Sequence, residues 1–150
     1  RGITVWLKGS RVSRNQIMAI KEEGVTEQKN SLAVCLDNIL RHAGITRNTE
    51  YDLAQGKTAI TILSENMTGV QVLDLSGCSL DAVLYYVNQD IPVLAILEGG
   101  EAVLVTGFNE FNVVIMEPST GRLYKKGMND ATTWFAENGN HFITYMNTEN

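Results

Sequence analysis

Thiols and imidazoles are the side chains of this sequence best suited to covalent and acid–base chemistry, and the chain has two of each. A cysteine nucleophile needs a thiolate paired with a histidine, at a helix N-terminus where the dipole lowers the pKa of the thiol. Cys35 instead shares an apolar stripe with Leu32, Leu36 and Ile39, one turn inside a predicted helix. We therefore expect Cys35 to be a buried, unreactive thiol. Its use as a nucleophile stays open as an alternative.

The two histidines are placed for structural roles. His42 falls near the C-terminal end of the same predicted helix, where the helix dipole favours a partly positive imidazole. His141 begins the last predicted strand. Two separated cysteines and two separated histidines have no spacing typical of a metal site, so we expect neither a metal nor another cofactor.

Composition and charge limit the classes of partner. The formal net charge is -5, and the longest run of Lys or Arg is Lys125-Lys126, so we expect no nucleic-acid partner. No apolar stretch approaches the ~20 residues needed to span a bilayer, so we expect no membrane insertion by this domain. The 150 residues suit a single domain over 1–150. The start at Arg1, without an initiator Met, predicts a piece of a longer protein.

Helical periodicity dominates the first half of the sequence. Ser13 followed by Gln16 predicts a capping box and a short helix. Apolar residues at helical spacing from Asn30 to His42 predict the next helix, which Gly44 closes. Asp37 and Arg41 fall on the face opposite the apolar stripe. Two further helices are predicted, one around Ala59 to Leu63 and one that Ser79 caps.

After that helix the periodicity changes to short runs rich in β-forming residues. The predicted strands are Pro92 to Leu97, Ala102 to Phe108, Val113 to Met116 and His141 to Met146. Gly99-Gly100 and the stretch from Asn109 to Asn112 predict hairpin connections. A helix capped by Asn129 or Asp130 and ending at Gly139 is predicted before the last strand. Helices followed by consecutive hairpins favour an α+β fold with an antiparallel sheet.

Two stretches carry a resemblance to a known family. One is the helix from Ser31 to Gly44, and the other runs from Glu101 to Phe108 and from Val113 through Glu117, Pro118 and Gly121. They resemble the bacteriocin-processing cysteine peptidases of the papain-like clan, which cut double-glycine leaders. In that family a catalytic Cys opens the helix, and the catalytic His begins a strand-turn-strand unit that ends in Asp-Pro-x-x-Gly. The resemblance covers about 30–145 and implies a papain-like fold, with a helical half packed on an antiparallel sheet.

The resemblance places three residues of this sequence at the family's catalytic positions. With Gly44 aligned on the Gly that ends the helix, Ser31 takes the place of the Cys, Glu101 that of the His, and Glu117 that of the acidic residue. Gln28 is closer to Ser31 than the family's oxyanion-hole Gln is to its Cys. A carboxylate with an ordinary pKa of about 4.3 is a poor base for an alcohol. We therefore expect no catalytic residue here, and a helix N-cap role for Ser31.

The absence of both Cys and His at these positions predicts a catalytically inactive relative of the peptidases. The resemblance implies a peptide-binding or structural module of a bacterial surface or secreted protein, with a peptide or protein segment as its partner and an extracellular or cell-surface location. Two alternatives stay open. One is an active papain-like cysteine peptidase that uses Cys35, and the other is an interaction or spacer domain without a ligand.

Overall fold

The computed structural model describes residues 30–148, so the predicted helix at Ser13 and the upstream Gln28 lie outside the described residues. Within this range there are five α-helices, one 3-10 turn and six strands. In chain order they are α1 (Ser31–His42), α2 (Glu50–Ala54), α3 (Ala59–Asn66), β1 (Val70–Asp74), α4 (Leu80–Val87), β2 (Val93–Ile96), the 3-10 turn (Glu98–Gly100), β3 (Ala102–Phe108), β4 (Asn112–Glu117), β5 (Arg122–Gly127), α5 (Met128–Glu137) and β6 (His141–Asn147).

All six strands belong to one antiparallel sheet in the order β1-β6-β2-β3-β4-β5. The chain thus adds β3, β4 and β5 outward from β2 as successive hairpins, while β6 returns from the far edge to lie between β1 and β2. The predicted α+β fold with an antiparallel sheet is confirmed. The predicted pairing of Ala102 to Phe108 with Val113 to Met116 is also confirmed, with Val105 opposite Ile115.

The central strands β2, β3 and β4 bury apolar side chains on both faces of the sheet, because helices cover both faces. This explains their nearly continuous apolar sequences, which differ from the strict alternation of a sheet with one wet face. Helices α1 and α3 pack on one face and α4 and α5 on the other. Facing the first pair of helices are Leu94, Leu104 and Met116, and facing the second are Val93, Val103, Val105 and Ile115.

Two predicted hairpin connections are present. Gly99 and Gly100 both have φ of 86° between β2 and β3, a left-handed conformation that glycine adopts without steric cost. Between β3 and β4, the Asn109 side-chain oxygen accepts hydrogen bonds from the backbone N–H groups of Phe111 and Asn112, both at 2.8 Å. An Asn side chain that bonds its own turn in this way fixes the loop, and with it the register of the two strands.

Three details of the sequence prediction are wrong or incomplete. The last helix begins at Met128 with Gly127 as its N-cap, so neither Asn129 nor Asp130 caps it. Asp37 lies opposite the apolar stripe but is buried, because the chain at Thr49 folds over it and donates its N–H to the Asp37 carboxylate at 2.8 Å. The edge strands β1 and β5 and the short helix α2 were not predicted, since none has a clear apolar period. No helix among residues 30–148 is both long and apolar enough to cross a membrane.

Candidate functional site

The N-terminus of α1 carries the first residue of the candidate site. Asn30 is the N-cap, and its side-chain oxygen accepts the N–H of Leu32 at 2.8 Å. Ser31 is the first residue inside the helix, so the prediction that Ser31 is the N-cap is wrong. Asn and Ser are both favoured caps, and because they are adjacent here the sequence pattern allowed either one.

The Ser31 hydroxyl has a different partner, on the sheet. Its Oγ accepts a hydrogen bond from the backbone N–H of Ala102 at 2.9 Å, across 71 residues of sequence. Pairing of β3 with β4 begins only at Leu104, opposite Met116, and the N–H of Leu97 bonds the Glu101 oxygen on the β2 side. In an antiparallel ladder, successive residues direct their N–H groups to opposite sides of the strand. Because Glu101 bonds towards β2, the Ala102 N–H points to the β4 side, at a position that the pairing with β4 does not reach. Ser31 supplies the acceptor that this buried N–H needs.

Glu101 directly precedes this contact at the start of β3. Its backbone oxygen accepts the Leu97 N–H at 2.7 Å, which closes the turn through Gly99 and Gly100. Its side chain is exposed and makes no hydrogen bond or ion pair with any residue in the range 30–148. Glu101, which the resemblance places at the family's histidine position, thus directly precedes Ala102. The Ser31 oxygen is bonded to the backbone N–H of Ala102 and not to the Glu101 side chain.

Glu117 ends β4, the neighbour of β3, so Glu101 and Glu117 lie at the same end of adjacent strands. One oxygen of the half-buried Glu117 carboxylate accepts hydrogen bonds from the Ser119 hydroxyl at 2.7 Å and the Ser119 N–H at 3.2 Å. The Glu117 carbonyl accepts the Gly121 N–H at 2.7 Å. Glu117 therefore orders the turn between β4 and β5, and this turn corresponds to the Pro-containing turn of the sequence resemblance.

Cys35 lies in the core beneath this end of the sheet. It has 0% exposure, so its predicted burial is confirmed. Burial raises the pKa of the Cys35 thiol well above its ordinary value, and the negative charges of Glu117 and Asp37 raise it further. A thiol in these surroundings stays protonated at neutral pH. Cys78 is partly buried, and the two cysteines form no disulfide.

His42 ends α1, at the opposite end of the helix from Ser31, and His141 begins β6. The Nε2–H of His42 donates to the backbone oxygen of Asp90 at 3.0 Å, which ties the end of α1 to the loop before β2. His141 lies in the first position of β6, opposite Ile96, and its charge contributes less than the Ser76 hydrogen bonds to lowering the pKa of Asp74. In the part of the chain that the structure describes, no group of three or more His, Cys, Asp or Glu side chains could hold a metal ion.

The structure brings the three predicted site positions to one end of the molecule. Ser31 bonds the residue after Glu101, and Glu117 ends the neighbouring strand. The partner that sequence reasoning missed is the backbone N–H of Ala102, which has no signal in the sequence because any residue except proline supplies such a group. Asn30 was missed as the cap, although its residue type was compatible with that role.

Two solved structures that share this fold are described as C39-like peptidase domains. No protein-family model matches the sequence, and no curated protein matches it either. A C39-like peptidase from Bacillus anthracis superposes with a TM-score of 0.68 at 14% identity, covering 82% of this chain and 91% of that one. The N-terminal peptidase C39-like domain of the toxin secretion ATP-binding protein from Vibrio parahaemolyticus superposes with a TM-score of 0.60 at 13% identity, covering 81% of this chain and 99% of that one.

These likenesses establish a C39 peptidase-like fold for this chain. The family that the sequence resembles is thereby confirmed at the level of fold, over most of the length of both solved domains. At 13–14% identity the superpositions carry no information about catalysis or ligands, because function depends on the residues of a site and not on the fold that holds them.

Proposed function

We propose that this chain is a catalytically inactive cysteine-peptidase-like domain that binds an extended peptide or protein segment beside the N-terminus of α1. The observation that carries the proposal is the hydrogen bond from the Ala102 N–H to the Ser31 Oγ at 2.9 Å. It supports a structural role for Ser31, because this bond gives a buried backbone amide its acceptor and joins the helix to the sheet.

The surrounding groups also support the absence of chemistry. An alcohol nucleophile needs a base whose pKa lies near the working pH, and the residue that follows the Gly99-Gly100 turn is a carboxylate, Glu101, on an exposed side chain. The buried Cys35 is protonated and one helical turn inside α1. Removing a nucleophile or its base alone abolishes most of the chemistry of such a pair, and here both are replaced.

Peptide binding is a property that a peptidase fold can keep without its catalytic residues. The walls of a groove between a helix and a sheet are made by the fold, and this fold is retained. A protein can therefore keep recognition of a chain segment after losing the reaction. The larger bacterial surface or secreted protein that the resemblance implies is part of the same proposal.

Cleavage and binding of a double-glycine leader peptide test the proposal together. The isolated wild-type chain, Ser31→Cys, Glu101→His and the double variant are each incubated with the peptide, and each activity is divided by the folded fraction measured by circular dichroism. We expect no cleavage by the wild type or by either single variant, because nucleophile and base act as one unit. Any recovered turnover should require both substitutions, with Glu117 left to orient the new imidazole.

Two controls separate the alternatives. Ser64→Cys adds a thiol at an exposed position of α3 and should cleave nothing, which excludes reaction by any accessible thiol. Wild-type turnover that disappears in Cys35→Ala would show an active peptidase and overturn the proposal. Perturbed backbone amide signals of Ser31 and Ala102 on addition of the peptide would support binding. A peptide that perturbs no signal at these residues would favour the spacer domain.

A further inference from the structure

Strand β5 is one of the two edges of the sheet, and its outer side has no partner among residues 30–148. The N–H of Met128 bonds the oxygen of Phe111, directly opposite it in the β4–β5 register. Because hydrogen-bonded pairs alternate along an antiparallel ladder, Tyr124 and Lys126 bond inward to β4. Leu123 and Lys125 therefore direct their N–H and C=O groups outward, where a further strand could pair with them.

Cations are concentrated on this edge. Three of the 12 Lys and Arg in the chain, Arg122, Lys125 and Lys126, lie within the six residues of β5, although the net charge of the chain is -5. None of the three makes an ion pair with a residue that the structure describes. By contrast, Arg47 is paired with Asp52 at 2.9 Å and Lys57 with Glu65 at 2.8 Å. The cations of β5 are thus available to an external carboxylate.

The cations occupy both faces of the edge. Side chains of successive strand residues alternate, so Lys125 falls on one face with Leu123, and Arg122 and Lys126 fall on the other with Tyr124. Lys126 lies 4.8 Å above the ring of Trp134 on α5, which holds its ammonium group beside the edge. Tyr124 is 37% exposed on the same face and offers apolar surface to an added side chain.

We propose that β5 accepts an extended acidic peptide segment of another protein as a seventh strand of the sheet. The backbone of the segment would pair with Leu123 and Lys125, and its carboxylates, alternating between faces, would meet Lys125 on one face and Arg122 and Lys126 on the other. Charge decides between this occupant and a second copy of the chain. If the β5 strands of two copies paired, the three cations of one strand would face the three cations of the other. Like charges on directly opposite residues destabilise a strand pair.

The other edge of the sheet lacks these features. β1 has the sequence VQVLD without a cation, and α3 packs beside it. The β5 edge is also separate from the contact of Ser31 with Ala102, because β4 lies between β3 and β5. The inference therefore goes beyond the proposed function and does not rest on it.

Binding of three blocked decapeptides to the whole chain tests the proposal. The first alternates Glu and Val, and the second replaces each Glu by Lys. The third is the Glu peptide with every backbone amide N-methylated, so that it keeps its charge but has no N–H group to donate to β5 from either edge. We expect the Glu peptide to bind, with slowed hydrogen exchange at the Leu123 and Lys125 amides. The Lys and N-methylated peptides should each bind at least about tenfold more weakly, since charge and backbone pairing each contribute.

The matched protein variants isolate the cations. Lys125→Gln with Lys126→Gln should weaken binding of the Glu peptide about tenfold. Gln55→Glu with Gln89→Glu changes the net charge equally at exposed positions elsewhere and should have little effect.

Equal binding of the Glu and N-methylated peptides would overturn strand addition. A concentration-dependent dimer that Lys125→Gln with Lys126→Gln strengthens would assign the edge to a second copy. Failure of the Glu peptide to bind, with aggregation of the double variant, would leave the cations only a role in blocking edge-to-edge association.

Discussion

The hydroxyl of Ser31 bonds α1 directly to β3, and it does so where the pairing of β3 with β4 has ended. A buried backbone N–H without an acceptor is costly, so a hydroxyl at this point stabilises the docking of the helix. A cysteine would be a poor substitute, because sulfur is a weak acceptor. At the residue scale the site is thus adapted to hold two elements together.

The stability of Ser31 variants measures this role. Ser31→Ala leaves the Ala102 N–H without its acceptor and should lower the free energy of unfolding by about 1–3 kcal/mol. Ser31→Cys should be destabilised in the same direction. Urea unfolding followed by circular dichroism provides the measurement, with Ser64→Ala on the exposed face of α3 as the control. Unchanged stability of Ser31→Ala would mean that another group or water satisfies the amide.

Cys35 gives a second prediction at this scale. Because burial, Glu117 and Asp37 raise the pKa of its thiol, almost no thiolate exists at neutral pH, and the sulfur is inaccessible in the folded state. In a Cys78→Ser background, iodoacetamide should label Cys35 only as fast as the protein opens, and labelling should accelerate sharply in urea. Rapid labelling of the native protein at neutral pH would contradict this and would favour the peptidase alternative.

Helix α1 is the element that positions the candidate site. Its apolar residues pack on the sheet, its N-terminus is capped by Asn30, and the N–H of Gly44, which has φ of 88°, bonds the oxygen of Arg41 after the last turn. Thr49 is also bonded to this helix, through its N–H to the Asp37 carboxylate and through its hydroxyl to the Ala33 oxygen. The position of Ser31 is therefore determined by contacts along the whole helix.

Loss of the cap should destabilise the element without touching the Ser31 hydroxyl. Asn30→Ala removes the acceptor for the Leu32 N–H and should lower the free energy of unfolding by about 1 kcal/mol. Asn30→Asp keeps an acceptor at the same place and should retain stability. Chemical denaturation of the two variants beside the wild type checks the difference. Equal losses in both would point to a role of the Asn30 amide nitrogen instead of the cap.

The whole molecule is built from a sheet that is covered on both faces in its centre and has partly exposed strands at its edges. The four β-strands β6, β2, β3 and β4 lie inside the sheet, and two separate clusters of helices pack against its faces. Charge pairs lie outside these clusters, as in the bidentate contact of Arg47 with Asp52 at 2.9 and 3.0 Å. Their contribution to global stability depends on the ionisation of the carboxylates.

Acid unfolding should reveal the Arg47–Asp52 pair. The hydrogen bond from Arg47 lowers the pKa of Asp52 below its ordinary value of 3.8, so the ionised carboxylate favours the folded state. Its stabilising effect is present above pH 3.8 and is lost as the pH falls through the lowered pKa of the folded state. Asp52→Asn should therefore be less stable than the wild type at pH 7, and the difference should shrink towards pH 2.

Unfolding midpoints in urea between pH 7 and pH 2 measure this convergence. Glu110→Gln removes one carboxylate from an exposed position of the β3–β4 loop and serves as the matched control. A stability difference between the wild type and Asp52→Asn that stays constant down to pH 2 would contradict a role for ionisation.

The sequence by itself determined the elements whose signals are local. The apolar stripe of α1, the Ser79 cap of α4, and the hairpins around Gly99 and Asn109 are each encoded within a few residues, because helical period and turn chemistry act at short range. Together with the resemblance of two stretches, these were enough to predict the fold.

Only the tertiary structure decided which groups meet across the sequence. Ser31 bonds a backbone amide 71 residues away, and Asp37 is buried by the folding back of Thr49. The edge strands β1 and β5 each pair with one neighbour, β6 and β4, and their five and six residues carry too short an apolar pattern to predict a strand from sequence. Backbone hydrogen bonding is common to nearly all residue types, so its partners depend on where each strand ends in the folded sheet and not on the identity of the residues concerned.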